Sequence, residues 1–260
     1  MEETKSKILI FDLETSFNVL YTFGLTHNDY IPPENIVQER YIFCVSYKWF
    51  GESKIHTISI LDDKKRFKKD IADDTYVVNE FYKVLEQADA LVAHNLVNFD
   101  EKMFAGRMLF HGLPPLPKVK KYDTLKMVKK YFRLNSNKLD YVSQYLGHKG
   151  KLENPKGLWH DCMKGDVKAL KHMAKYNRQD IDALELVFTK LMPYVKDHQL
   201  NAGMFLSGAR CPNPTCGSTD LQWRGWNYTR TGKFRRCVCK NCGSWADERR
   251  SLPNCRPEIK

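Results

Sequence analysis

The run Ile8-Leu9-Ile10-Phe11, closed at once by Asp12-Leu13-Glu14-Thr15, constrains the fold of this chain more than any other stretch. Consecutive branched and aromatic residues predict a buried strand. Side chains alternate along a strand, so Asp12 and Glu14 share one face at its end. Two carboxylates side by side on a core strand repel each other and resist desolvation unless a cation holds them together. Hard oxygen ligands suit magnesium or manganese. An isolated Asp-x-Glu also suits a solvated strand end that opens a turn, so a metal site requires further ligands from elsewhere in the chain.

A chain of 260 residues has room for one well-packed domain and a smaller module. The formal net charge of +11 is unevenly spread: residues 204–260 hold 11 Lys and Arg against 4 Asp and Glu, the first 203 residues 31 against 27. A short, strongly basic tail implies a polyanionic partner, although four thiolates on a zinc ion would remove about two of those charges. Nucleic acid is the expected polyanion, and no membrane partner is expected. No run of about 18 apolar residues occurs, and Met1-Glu2-Glu3-Thr4-Lys5 lacks the basic and apolar regions of a signal peptide. The expectation is a soluble, cytoplasmic protein. Cys44 and Cys162 lie alone while six cysteines fall in the last 50 residues, a segregation that suits a metal site better than a disulfide framework.

Residues 17–39 carry aromatics, Gly24 and Pro32-Pro33 without a period and predict a long loop beside the first strand. Residues 41–47 and 54–60 are rich in β-formers and predict a hairpin, giving three antiparallel strands in all. Helical spacing of Val77, Phe81, Val84, Leu85 and Ala88 predicts a helix over 76–88, and Ala90-Leu91-Val92-Ala93 predicts a further buried strand. The remaining predicted elements are helices at about 99–111, 123–132, 137–146 and 166–196.

The strand at 90–93 runs into His94-Asn95, then Phe99-Asp100 at the start of a helix, so a second carboxylate follows a core strand. Asp is also a common helix cap at such a place. In the long helix, Tyr176 and Asp180 are four residues apart and lie on one face; a solvated face would give the same spacing. Asp123 reads as a helix cap, Trp159 as a core residue, and the lysines among positions 118–130 as mostly a solvated face.

Taken in this order, the three stretches resemble the DEDD exonucleases of the DnaQ-like, ribonuclease H-like superfamily, over roughly residues 6–196. Asp12 and Glu14 match the first motif, Asn95 with Phe99-Asp100 the second, and Tyr176 with Asp180 the third. Lys175 stands where the histidine subclass would need His, so Tyr176 places the chain in the tyrosine subclass. It looks closest to the branch related to the proofreading domain of family B DNA polymerases. The resemblance implies an α/β fold with a ribonuclease H-like mixed β-sheet flanked by helices. It also implies 3′-5′ exonuclease activity releasing nucleoside 5′-monophosphates from single-stranded 3′ ends, with DNA favoured. Asp12, Glu14 and Asp180 would hold one of two magnesium or manganese ions, Asp12 would bridge to the second, and Asp100 would support that one largely through water. Tyr176 would orient the attacking water; with an ordinary pKa of about 10 its phenol is a hydrogen-bonding positioner at neutral pH. Thr15, Ser16, Asn95 and Phe99 would contact the terminal nucleotides; His94, at a strand end, is either a further substrate-side residue or a packed, hydrogen-bonded histidine.

Gly203, Ser207 and Gly208 mark a linker, which sets an expected nuclease domain at 1–200 against a small domain at 208–250. There Cys211 and Cys216, each pair followed by a glycine, are matched 22 residues later by Cys239 and Cys242. This spacing resembles a zinc ribbon with one structural zinc ion. Cys237 lies two residues before Cys239 on the same face of the predicted strand and competes with it as ligand, but the two-residue spacing to Cys242 favours Cys239. Between the cysteine pairs, Trp223, Trp226, Tyr228 and Phe234 alternate with Arg224, Arg230, Lys233, Arg235 and Arg236. Such residues serve a minimal core, base stacking, or docking of a replication or repair protein. The competing reading of the whole chain is a catalytically silent nucleic-acid-binding or adaptor protein acting through the ribbon; clustered carboxylates argue against it.

Overall fold

A computed structural model describes residues 6–22, 24, 31–150, 154–196, 199–204, 208–229 and 232–248. Every residue of β1 (Ile8–Thr15) except Asp12 is buried, which is possible only for a strand with neighbours on both sides. Two short strands, β2 (Val19–Leu20) and β3 (Ile36–Gln38), pair with each other in the stretch expected to be a featureless loop. Then β4 (Ile42–Trp49) lies antiparallel to β1, and β5 (His56–Ser59) antiparallel to β4. The helices α1 (Lys64–Lys69) and α2 (Thr75–Leu85) carry the chain over to β6 (Ala90–Ala93), which is parallel to β1. Helix α3 (Asp100–Phe110) leads to β7 (Lys120–Asp123), parallel to β6, and the finished sheet has the order β5-β4-β1-β6-β7.

Four helices follow: α4 (Thr124–Tyr131), α5 (Leu139–Tyr145), α6 (Leu158–Met163) and the long α7 (Val167–Leu191). Alternation along β1 divides the core. Leu9, Phe11 and Leu13 pack with Val77, Phe81 and Phe104 of α2 and α3. Ile8 and Ile10 pack on the other face with Ile181, Leu184 and Phe188 of α7. Asp12 and Glu14 continue the line of Ile8 and Ile10 and so are carried on the face that α7 covers. The result is a mixed five-stranded sheet flanked by helices, a ribonuclease H-like α/β fold.

Besides the β2–β3 pair, the expected elements differ from the observed ones at β7, at α1 and α6, and at the end of α7. β7 was hidden because Lys120 and Lys121 are polar, which suits an edge strand; its outer edge is covered by Gln199, whose Oε1 accepts from the Lys121 amide at 2.9 Å. The short helices α1 and α6 lack a readable period. α7 ends at Leu191 and not at 196, where a 3-10 turn over Met192–Tyr194 contains Pro193, which cannot donate to a helical carbonyl.

The two helices beneath the sheet are tied to it by a buried charge. Asp74, fully buried at the start of α2, receives Arg107 Nε at 2.8 Å and Nη2 at 2.6 Å. It also lies 2.7 Å from His111 Nε2 and accepts from the Ile42 amide of β4 at 2.9 Å.

The C-terminal segment forms a separate antiparallel sheet of β8 (Leu221–Thr229), β9 (Gly232–Cys239) and β10 (Trp245–Asp247), in the order β10-β9-β8. Arg230 lies outside the described residues.

Candidate active site

The face shared by Asp12 and Glu14 meets α7 at Asp180, and one carboxylate oxygen from each of the three lies within 4.8 Å of the others. The stripe that α7 turns to the core runs Leu170, Met173, Asn177, Asp180, Ile181, Leu184, Val187 and Phe188, all buried. Two polar residues therefore interrupt an apolar stripe just where it passes the strand acids. Asn177 Nδ2 donates to Asp12 Oδ2 at 2.7 Å and to the Asp12 carbonyl at 3.2 Å, which fixes the first acid against the helix. Negative charge gathers here strongly enough to be felt across the sheet: Cys44, opposite Glu14 on β4, has its thiol pKa raised well above the usual value by burial, then by Glu14 and Asp12.

Asp100 stands outside that trio as the first residue of α3. It is 1 % exposed, and neither carboxylate oxygen has a hydrogen-bond partner. Burial pushes its carboxyl from the ordinary 3.8 up to about 7. The amides of Asp100 and Leu13 pull the other way without reaching hydrogen-bond geometry to either oxygen, and the charge of Asp123 adds to the rise. An unpaired buried carboxyl next to the Leu13 amide, between the two strand acids in sequence, is the condition a cation would relieve.

Asp123 itself is fully employed in the fold. Its carboxylate caps α4 through the Lys126 amide and takes the amides of Asn95 and Val97 at 3.1 Å each. That grip holds the turn after β6, where Asn95 has a positive φ of 75°. Both ring nitrogens of His94 are engaged at 2.9 Å, with Thr124 Oγ1 and the Asn137 carbonyl, so this ring braces the turn. The Ser16 hydroxyl accepts from the Tyr41 amide at 3.0 Å and likewise serves the backbone.

Beside the acids is a cavity of about 230 Å³ lined by Glu14, Thr15, Phe17, Arg40, Phe99 and Trp159, with Leu13 and Ser16 completing it. The rings of Phe17 and Trp159 are near parallel with centroids 6.5 Å apart, and Tyr176 meets Trp159 edge-on at 6.3 Å. Arg40 Nε is buried there without a hydrogen-bond partner. The structure thus brings Thr15, Phe99 and the three acids to one place, and it adds Phe17, Arg40, Trp159 and Asn177. Of these only Asn177 left a sequence signal, its place in the period of the apolar stripe of α7; the cavity walls come from segments far apart in the chain.

Four thiols form a second cluster. Cys211, Cys216, Cys239 and Cys242 offer sulfurs within 4.8 Å of one another, and Cys237 is not among them. Cys211 Sγ lies 3.6 Å from Cys242 Sγ and Cys216 Sγ 3.9 Å from Cys239 Sγ. For Cys242 burial raises the pKa, but the Ser244 hydroxyl and amide and the neighbouring thiols outweigh it and leave the thiol at about 7. Asn241 and Asn213 each direct a side-chain amide at a sulfur of the cluster, at 3.2 and 3.7 Å. This arrangement is compatible with a zinc ribbon.

Residues 34–192 match the family model RNase_H_2, described as RNase_H superfamily. The chain belongs to the RNase H superfamily. The matched stretch starts after β1, so Asp12 and Glu14 lie before it, while Asp100, Tyr176 and Asp180 fall inside. No curated protein matches the chain. Membership of the RNase H superfamily supports a nuclease-type hydrolase that acts on nucleic acid, and RNase H-like nucleases use divalent metals, for which the carboxylate group is a suitable holder. Among the described residues, no helix is long and apolar enough to cross a membrane.

Proposed function

We propose that this protein is a metal-dependent 3′-5′ exonuclease of the DEDD type, tyrosine subclass. It would hydrolyse single-stranded nucleic acid, DNA in preference, to nucleoside 5′-monophosphates. The observation that carries the reading is the convergence of Asp12, Glu14 and Asp180 within 4.8 Å; the buried Asp100 carboxyl at the start of α3 feels the amide of Leu13, which lies between the two strand acids. Asp12, Glu14 and Asp180 would hold one divalent ion, and Asp12 with Asp100 a second. Bound there, the ions lower the pKa of an attacking water and stabilise the leaving oxygen.

The remaining work falls to the chain. Asn177 keeps the Asp12 carboxylate turned toward α7 through its 2.7 Å bond. Tyr176 orients the water by hydrogen bonding, held by its edge contact with Trp159. Phe17, Phe99 and Trp159 provide ring faces around a cavity that opens beside Glu14, which suits a terminal nucleotide. The proposed division is a nuclease domain over 1–200 and a ribbon domain over 208–250, the latter built on one structural zinc held by Cys211, Cys216, Cys239 and Cys242.

The test uses 5′-labelled single-stranded DNA and RNA with magnesium, manganese or neither. A ladder shortening from the 3′ end, at least roughly a hundredfold slower in Asp12→Ala, is expected. Cutting of circular single-stranded DNA would show an endonuclease instead. Binding without shortening by either protein would leave a silent, ribbon-led binder.

A further inference from the structure

The register of the C-terminal sheet produces a surface that the fold does not consume. Trp223 faces Cys237, whereas the next pair is Trp226 with Arg235, so β8 advances three residues while β9 advances two. This single-residue bulge contains Gly225 at a φ of +71°, a conformation L side chains rarely adopt. The bulge shifts the alternation by one, and Trp223, Trp226 and Tyr228 consequently stand on one face although their numbers differ in parity. Lys233 and Arg235 share that face, as partners of Tyr228 and Trp226.

These rings are not the core of the small sheet. Trp223 is 40 % and Tyr228 69 % exposed and Trp226 is half-buried, while the buried side chains among the described residues of the segment are Cys211, Asn213, Cys237, Cys239 and Ser244. Each ring carries a cation: Arg235 lies 4.6 Å from the centroid of Trp223, and Lys233 lies 4.5 Å from Trp226 and 5.5 Å from Tyr228. The opposite face holds Trp245, with Arg236 over its ring at 4.7 Å. Asn227, Arg236, Trp245 and Asp247 line a cleft with the last turn of α7 and the residues after it, Thr189 to Lys196. No Asp or Glu occurs anywhere from Leu221 to Cys239.

We infer that the outward face of β8 and β9 binds single-stranded nucleic acid, stacking successive bases on Trp223, Trp226 and Tyr228 while Arg235 and Lys233 neutralise its phosphates. Three rings in line on one strand face are a ladder for unpaired bases, and the absence of acids from β8 and β9 themselves, with Glu248 the one acid among the described residues whose backbone adjoins Arg235, fits a polyanion rather than a protein of mixed charge. A duplex, whose bases are already stacked on each other, offers no such contact. The surface is separate from the carboxylate cluster, and the inference stands whether or not the exonuclease reading does.

The deciding experiment measures affinity of the full chain for circular single-stranded DNA, which has no 3′ end, and for a relaxed duplex circle of equal length. Wild type is compared with Trp223→Ala, Tyr228→Ala and Trp223→Phe at fixed salt, each checked by thermal melting. Each alanine substitution should weaken single-strand binding about tenfold and duplex binding hardly at all, and Trp223→Phe should bind within about twofold of wild type. If Trp223→Ala melts early, Tyr228→Ala alone decides, because its side chain is outside the core. Alanine variants that bind the single strand like wild type, or that lose single strand and duplex equally, would overturn the inference; in either case a surface for a protein partner becomes the better account of the rings.

Discussion

A single buried carboxyl sets the most direct test at the residue scale. Asp100 has its folded pKa raised to about 7 by burial, against an ordinary 3.8. Protons therefore bind the folded form more tightly than the unfolded one. In metal-free protein this group's contribution is fully favourable below about pH 4, is lost as pH rises to about 7, and is flat above. Asp100→Asn removes the titration. Denaturant unfolding of both proteins without metal should give a stability difference that shifts toward the Asn variant between about pH 4 and pH 7. Parallel curves would mean that the carboxyl is solvated. Asp12 depends on a neighbour in another sense, because Asn177 holds it from a helix that lies 165 positions away in sequence.

At the scale of elements, the sheet is positioned by helices that are themselves locked by charge. Asp74 joins α2, α3 and β4 through Arg107, His111 and the Ile42 amide, with its own carboxylate fully out of water and the Arg107 and His111 side chains mostly so. Removing one partner leaves a buried cation and a buried amide unsatisfied. Asp74→Ala should lower the unfolding free energy by roughly 3–5 kcal/mol, measured by denaturant titration, while leaving the carboxylate cluster in place. A loss under about 1 kcal/mol would place the ion cluster in solvent-accessible surroundings. The same scale explains the site: β1 supplies two acids because strand residues two apart share a face, and α7 supplies the third because its buried stripe is interrupted at Asn177 and Asp180.

The whole molecule has two cores of different kinds. The five-stranded sheet is held by two large apolar clusters, one on each face. Among the described residues, the three-stranded sheet buries few side chains beyond its cysteines, Asn213 and Ser244, so a zinc ion on the four thiols, as proposed, would supply much of its stability. Removing zinc with a strong chelator should therefore melt β8–β10 in a separate, lower transition by calorimetry and shift the main transition little. One cooperative transition that moves as a unit would show the two sheets to be a single folding unit.

The strand at Ile8, its two acids on one face, the antiparallel hairpin, the β6 strand and the four metal-spaced cysteines were all legible in the sequence. Each depends on local alternation, apolar runs or short ligand spacing, which a linear string records directly. Tertiary structure alone decided the rest. It occupied both nitrogens of His94 in bracing a turn, and it gave Asp123, a helix cap in the sequence, a second task in holding the amides of Asn95 and Val97. It also made an edge strand of a lysine-rich stretch and walled a cavity with Phe17, Arg40 and Trp159. Those outcomes rest on contacts between residues tens to more than a hundred positions apart, and no local period encodes which distant partner a side chain will meet.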